Sequence, residues 1–216
     1  LYSLFSFLRR IIKNQLFNPL LLTSISIILY LLVIKNITGH ATKETVDIYT
    51  NALNFVNFML SPLTVCLALP IYTRRHIIKQ YWLPILVGTV IGCAVSMISV
   101  FILGHFFGLN KEMIYSLLPK SVTTAIAKEI SQDIGGIPEI TIASVIVTGI
   151  CGALFGPILT KIFKLDRSAS IGMAFGASSH AVGTSKAVEI STRAGAISSV
   201  AIVTSGILTV IIALFL

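Results

Sequence analysis

Two short polar segments interrupt an otherwise apolar chain, and they hold most of the side chains able to do chemistry. The first contains Lys120, Ser121, Thr123 and Thr124, with Glu129 further on. The second contains Ser178, Ser179, His180, Gly183, Thr184 and Lys186, with Glu189 further on. An amine, an imidazole and a set of hydroxyls are hydrogen-bond donors that suit a small anion such as a carboxylate. His180 titrates near neutral pH and so suits proton coupling. Each residue also has a plainer use. Lys120 and Lys186 could snorkel, or pair with Glu129 and Glu189; His180 could be a packed core histidine; the hydroxyls could cap helices or bond back to carbonyls. No nucleophile with a paired acid and no metal-ligand spacing accompanies them, since Ser179 and His180 are only sequence neighbours. We therefore expect neither an enzyme nor a metal or other cofactor.

The two segments resemble each other. Laying residues 124–137 over 184–197 matches Thr124 with Thr184, Ala127 with Ala187, Glu129 with Glu189, Ile130 with Ile190, Ser131 with Ser191, Gly135 with Gly195 and Ile137 with Ile197. Chance would supply about one identity in so short a window. Each copy is followed by an apolar span, in which Val147-Thr148-Gly149-Ile150 is echoed by Val203-Thr204-Ser205-Gly206-Ile207. Each also carries a helix break. Pro119 breaks the first, with a returning helix from about Thr123. Gly176 to Gly183 should break the second, with a returning helix from Thr184 or Ser185. The returning helices direct their positive dipole ends at the two breaks, where an anion would be welcome.

The rest of the chain must hold these segments in place. It has 216 residues, of which 55% are hydrophobic and 11% charged, and its mean hydropathy is +0.94. An ordinary soluble domain is about 25% charged, so a soluble globular fold is excluded and the chain reads as an all-α integral membrane protein. Complete apolar spans run over Leu16–Ile37, Ala52–Tyr72, Trp82–Phe107, Ile140–Phe163 and Ala194–Leu216. Leu1 to Leu8 reads as the end of an earlier apolar helix, with further sequence before it. The net charge of +8 is confined to connectors, so it reports topology and not a nucleic-acid partner. Arg9, Arg10 and Lys13, then Arg74, Arg75 and Lys79, then Lys161, Lys164 and Arg167 mark cytoplasmic ends. With those ends fixed, Met113–Gly136 must enter and leave from outside and Ser168–Arg193 from inside. That makes two re-entrant hairpins in inverted-topology repeats, a plan of secondary transporters, with fully crossing broken helices as the open alternative. Two parts follow: a scaffold over residues 1–112, and a transport core of repeats 113–163 and 168–216. Cys66, Cys93 and Cys151 read as small packing residues, and His40, His76 and His105 carry no assigned chemistry.

Three stretches resemble the LrgB/CidB family: Leu118-Pro119-Lys120-Ser121-Val122-Thr123-Thr124 with Ile134-Gly135-Gly136-Ile137; Thr148-Gly149-Ile150-Cys151-Gly152-Ala153 with Gly156; and Gly176 through Ala187. Ala125 departs from the pattern, because proline often follows the threonine there. The resemblance covers nearly the whole chain from the first complete span onward. It implies a protein named for control of murein hydrolase activity and lysis, often beside a holin-like LrgA/CidA-type partner. It also implies transport of small monocarboxylates, pyruvate in bacteria and glycolate or glycerate in plastids. Two functions are therefore expected to compete. One is a proton-coupled transporter of pyruvate-, lactate- or glycolate-like acids, held between two midplane tips. The other is a holin- or antiholin-like regulator acting by oligomerisation. Both place the chain in the cell membrane, as a homo-oligomer.

Overall fold

The computed structural model describes residues 1–12, 19–39, 41–66, 68–73 and 75–216. Lys13, His40, Arg74 and the start of the first span at Leu16 lie outside the described residues, as do the side chains of Arg9, Arg10, Lys43 and Cys66. Helices joined by short connectors, without a strand, make up the described residues, which fall into two compact units, Leu1–Thr64 and Val65–Leu216. In the first unit α1 (Tyr2–Ile12) packs on α2 (Pro19–Thr38), which packs on α3 (Thr42–Ala52). The connector between the first two spans is thus itself largely helical. Next in the chain comes α4 (Asn54–Cys66).

The second unit holds α5 (Ala68–Thr73), α6 (Arg75–Phe106), α7 (Lys111–Leu117), α8 (Thr124–Asp133), α9 (Pro138–Ile162), α10 (Ser168–Ile190) and α11 (Thr192–Ala213). Lys79–Phe106, Pro138–Ile162 and Thr192–Ala213 are long and apolar enough to cross a bilayer. Local chemistry sets the boundaries. Pro84 cannot donate to the preceding turn, and α6 kinks at Tyr81 (φ −119°, ψ 21°). Asn110 caps α7 by accepting from the Met113 N–H at 2.9 Å. Gly135, at φ +79°, ends α8 in the left-handed conformation that lets the chain turn into α9, which opens with Pro138.

The first polar segment forms hairpin 1, with limbs Lys111–Leu117 and Thr124–Asp133. Three hydroxyl residues with no solvent exposure, Ser116, Ser131 and Thr141, close its foot. Thr141 donates to the Ser116 carbonyl (2.8 Å) and contacts Ser131 Oγ (2.6 Å), while the Ile137 N–H donates to Ser116 Oγ (2.7 Å).

Helix α10 folds back on itself as hairpin 2. Its ends meet where Ser168 Oγ lies 3.4 Å from Ser191 Oγ, and Ile171 and Phe175 of one limb pack with Ala187 of the other. A straight helix of this length would separate its ends by about 33 Å. The reversal is sharper than the expected break over Gly176 to Gly183. It occurs at Ser179 (φ −137°, ψ 18°) and His180 (φ 42°, ψ −138°), and helix resumes directly afterwards instead of at Thr184. Gly176 and Gly183 lie within the limbs, where they permit close approach. A Cβ on Gly176 would sit 2.5 Å from the Ser198 carbonyl oxygen, and one on Gly183 2.8 Å from the Phe175 carbonyl oxygen.

The hairpins approach α9 from opposite ends. Hairpin 1 has its foot at Ile137 and Thr141, and its tip residue Val122 packs on Val145. Hairpin 2 descends from the other end, with Phe175 over Gly156, Ser179 over Gly152 and His180 over Gly149. Both tips therefore reach the middle of α9. Meanwhile α6 and α11 run parallel, since Ile85 packs with Ile197 and Val200 near their starts, and Met97 and Val100 with Ile212 near their ends.

Candidate functional site

A cavity of about 1160 Å³ lies between α6, α9, the first limb of hairpin 2 and the tip of hairpin 1. Four residues singled out in the sequence, Lys120, Ser121, Ser178 and Ser179, line it, and they come from both tips. Pro119 stops the entering limb of hairpin 1, so the following turn presents Lys120 and Ser121 beside α6. Lys120 Nζ donates to Ser96 Oγ at 3.3 Å, and Ser96 Oγ lies 2.6 Å from Ser121 Oγ. Across the cavity, Ser178 Oγ lies 2.9 Å from Ser179 Oγ and donates to the Ala174 carbonyl at 2.6 Å. Gly152 makes room for Ser179, because a Cβ there would sit 1.8 Å from Ser179 Oγ.

The cavity carries positive charge only. Lys120 stands at its inner end and Arg167 at its rim, no Asp or Glu lines it, and no carboxylate pairs with Lys120 among the described residues. A half-buried ammonium with a hydroxyl neighbour and no counter-ion is a ready partner for an anion.

The other sequence candidates do not line the cavity. His180 donates from Nε2 to the Val145 carbonyl at 2.9 Å and is buried behind Ser179. Thr184 donates back to the His180 carbonyl at 3.0 Å and lies 2.6 Å from Ser198 Oγ, so its hydroxyl ties hairpin 2 to α11. Lys186 is buried and pairs with Glu189 at 2.8 Å within its own limb. Gly183 lets the two limbs pack closely, and Glu129 is exposed on α8. Thr123 and Thr124 begin α8, as the motif predicts, but neither lines the cavity. The Thr123 hydroxyl makes no capping bond and is buried without a hydrogen-bond partner among the described residues. Sequence reasoning missed Ser96. Its signal is a hydroxyl inside the third apolar span, which no spacing rule distinguishes from the neighbouring Ser99.

The family model for LrgB-like proteins matches residues 1–216. The holin-like protein CidB of Staphylococcus epidermidis is 36% identical over 208 residues, covering 94% of this chain and 87% of the relative. The uncharacterized protein YxaC of Bacillus subtilis is 36% identical over 190 residues, covering 88% and 79%. The holin-like protein CidB of Staphylococcus aureus is 33% identical over 207 residues, covering 94% and 87%. No solved structure matches. The match spans the motifs around Lys120 and Ser178 as well as the long apolar helices, and this helical membrane protein belongs to the LrgB-like family.

Proposed function

We propose that the chain is a secondary transporter of small monocarboxylates of the pyruvate, lactate and glycolate kind, acting in the cell membrane. One observation carries this reading: an amine with no carboxylate partner among the described residues and hydroxyls from two separate helix reversals line one cavity, with no acidic side chain among its described lining residues. In this reading the two reversals are re-entrant hairpins of inverted-topology repeats, and their tips bring substrate-binding groups to the membrane midplane, as broken helices do in other transporters. Lys120 supplies the charge. Ser121, Ser178 and Ser179 orient the carboxylate, and His180, adjacent to Ser179, is the group we assign to proton coupling. The chain acts as a homo-oligomer and without a catalytic step.

The test is uptake of labelled pyruvate, lactate and glycolate by proteoliposomes holding the full chain alone, under an imposed pH gradient. Lys120→Gln should reduce uptake at least tenfold, the loss of one charge-assisted contact. His180→Gly should flatten its pH dependence. Cysteines replacing Lys111 and Lys164 should label from outside and from the cytoplasm respectively. Labelling of both from one side would remove the re-entrant topology.

A second reading is favoured by the printed names of the relatives, which are holin-like proteins. In it the chain regulates murein hydrolase activity and lysis by assembling in the membrane, with an LrgA/CidA-type partner. Absence of uptake for all three acids, together with substrate-independent leakage of an entrapped dye, would select it.

A further inference from the structure

The polar groups of the cavity gather at its inner end, and most of the remaining wall is apolar. Beyond them the walls are mainly Phe155, Leu159 and Phe163 on one side and Met173 and Phe175 on the other, interrupted by Thr160, Ser170, Tyr81 and Arg167; the Thr160 hydroxyl is turned back to the Pro157 carbonyl at 2.9 Å. From Gly152 beside Ser179 to Phe163 at the rim, α9 advances about 16 Å at its rise of about 1.5 Å per residue. A three-carbon acid bound at Lys120 would fill only the polar end and leave this trough empty. A space of about 1160 Å³ exceeds even the roughly 300–1,000 Å³ typical of drug-sized ligands. Mainly apolar walls next to a cation with no carboxylate partner among the described residues suit a molecule with the same division: an anionic head and an apolar tail.

We propose that the cavity binds monocarboxylates carrying an apolar tail, with the carboxylate at Lys120 and the hydroxyls and the tail along Phe155, Leu159, Phe163 and Phe175. The inference rests on the reading of the cavity as a carboxylate site, and it extends the ligand class from short hydroxy and keto acids to single-chain amphiphilic acids. Charge fixes the orientation. Lys120 is half-buried and has only a hydroxyl neighbour, whereas Arg167 at the rim is exposed to solvent, where an ion pair gains little.

Cys151 gives a readout independent of transport, because it is exposed and lines the cavity while Cys93 is buried. The full chain in phosphatidylcholine nanodiscs is treated with a maleimide, and alkylation of Cys151 is followed by peptide mass spectrometry against propanoate, butanoate, hexanoate, octanoate, pyruvate and octanol. The half-protecting concentration should fall about fourfold per added methylene, as expected for progressive burial of the chain. Lys120→Gln should raise it at least tenfold for octanoate and leave it unchanged for octanol. Arg167→Gln should change neither. A flat series, with pyruvate protecting as well as octanoate, overturns the proposal and leaves small-acid transport standing. A steep series without pyruvate uptake overturns the transport reading and leaves the proposal standing. Loss of octanoate protection in Arg167→Gln but not in Lys120→Gln overturns the orientation and with it the proposal. Full protection by phosphatidylglycerol in the nanodisc, with no added acid, assigns the trough to a bilayer phospholipid and also overturns it.

Discussion

Hairpin 1 turns across Leu118 to Thr123, with a proline and two unwound turns, whereas hairpin 2 reverses across Ser179 and His180 alone. The first spends residues to turn, so its backbone stays in ordinary conformations and its tip can direct a side chain into the cavity. Lys120 is the result. The second turns so tightly that His180 takes φ +42° with ψ −138°, a conformation ordinarily left to glycine. Its ring bonds the Val145 carbonyl and is not offered to the cavity. Thus two segments with matched sequences reverse by different means. The slack one presents the cation, and the tight one presents two serines on a rigid mount. The feet differ too: hairpin 1 is closed by three buried hydroxyls, hairpin 2 by one long Ser168 to Ser191 contact and by glycines packed on α11.

These differences can be broken one at a time. The largest effect is expected from Gly176→Leu, because the new side chain would drive into the Ser198 carbonyl and Ala201 of α11. It should cost about 3 kcal/mol or more, read as loss of a monodisperse, cooperatively unfolding protein in detergent. Gly135→Ala, at φ +79° with open space around it, should cost only about 1 kcal/mol by the same measurement.

At the foot of hairpin 1, Thr141→Val keeps the shape and removes the hydroxyl shared by Ser116 and Ser131. A loss of about 1–3 kcal/mol is expected, since buried partners are left unsatisfied. Ser191→Ala at the other foot takes the long contact and the cap on the Arg193 and Ala194 N–H groups, worth about 1 kcal/mol. Equal losses at the two feet would show that the hydroxyl clasp is not what distinguishes them.

At the tip of hairpin 2 the strain itself can be measured. His180→Ala and His180→Gly both lose the bond to Val145, but only glycine relaxes the backbone. The glycine variant should be the more stable by about 1 kcal/mol in denaturant titration. An alanine variant as stable as the glycine one would mean that the reversal stores no strain. Glu189→Gln takes the countercharge from the buried Lys186, whose side chain is only 10% exposed, and should cost about 1 kcal/mol or more in the same titration while leaving uptake unchanged.

The repeat, the helical membrane character and the two breaks were legible in residue types and spacing, because a proline, a glycine-rich string and an apolar run act locally. The motif around Pro119 and Thr123 located the first turn to within a residue. The second turn was read too broadly. A glycine that frees the backbone and a glycine that admits a neighbouring helix look alike in one dimension, and Gly176 and Gly183 are of the second kind. Of the candidate site residues, Lys120, Ser121, Ser178 and Ser179 line the cavity, while His180, Thr184 and Lys186 are engaged by the Val145 carbonyl, Ser198 and Glu189.

What the sequence by itself determined is therefore the solvent the chain must live in, the family it belongs to and the pair of interrupted segments that carry its polar groups. These follow from composition and from interactions between residues close in the chain. Which polar groups face the cavity was decided only by tertiary packing. Ser96 joins Lys120 from a helix some two dozen residues earlier in the chain, and His180 leaves the cavity because Val145, on another helix, offers a carbonyl where Gly149 makes room for its ring. A side chain's partner across helices depends on register and close approach, and the sequence of either helix alone contains neither.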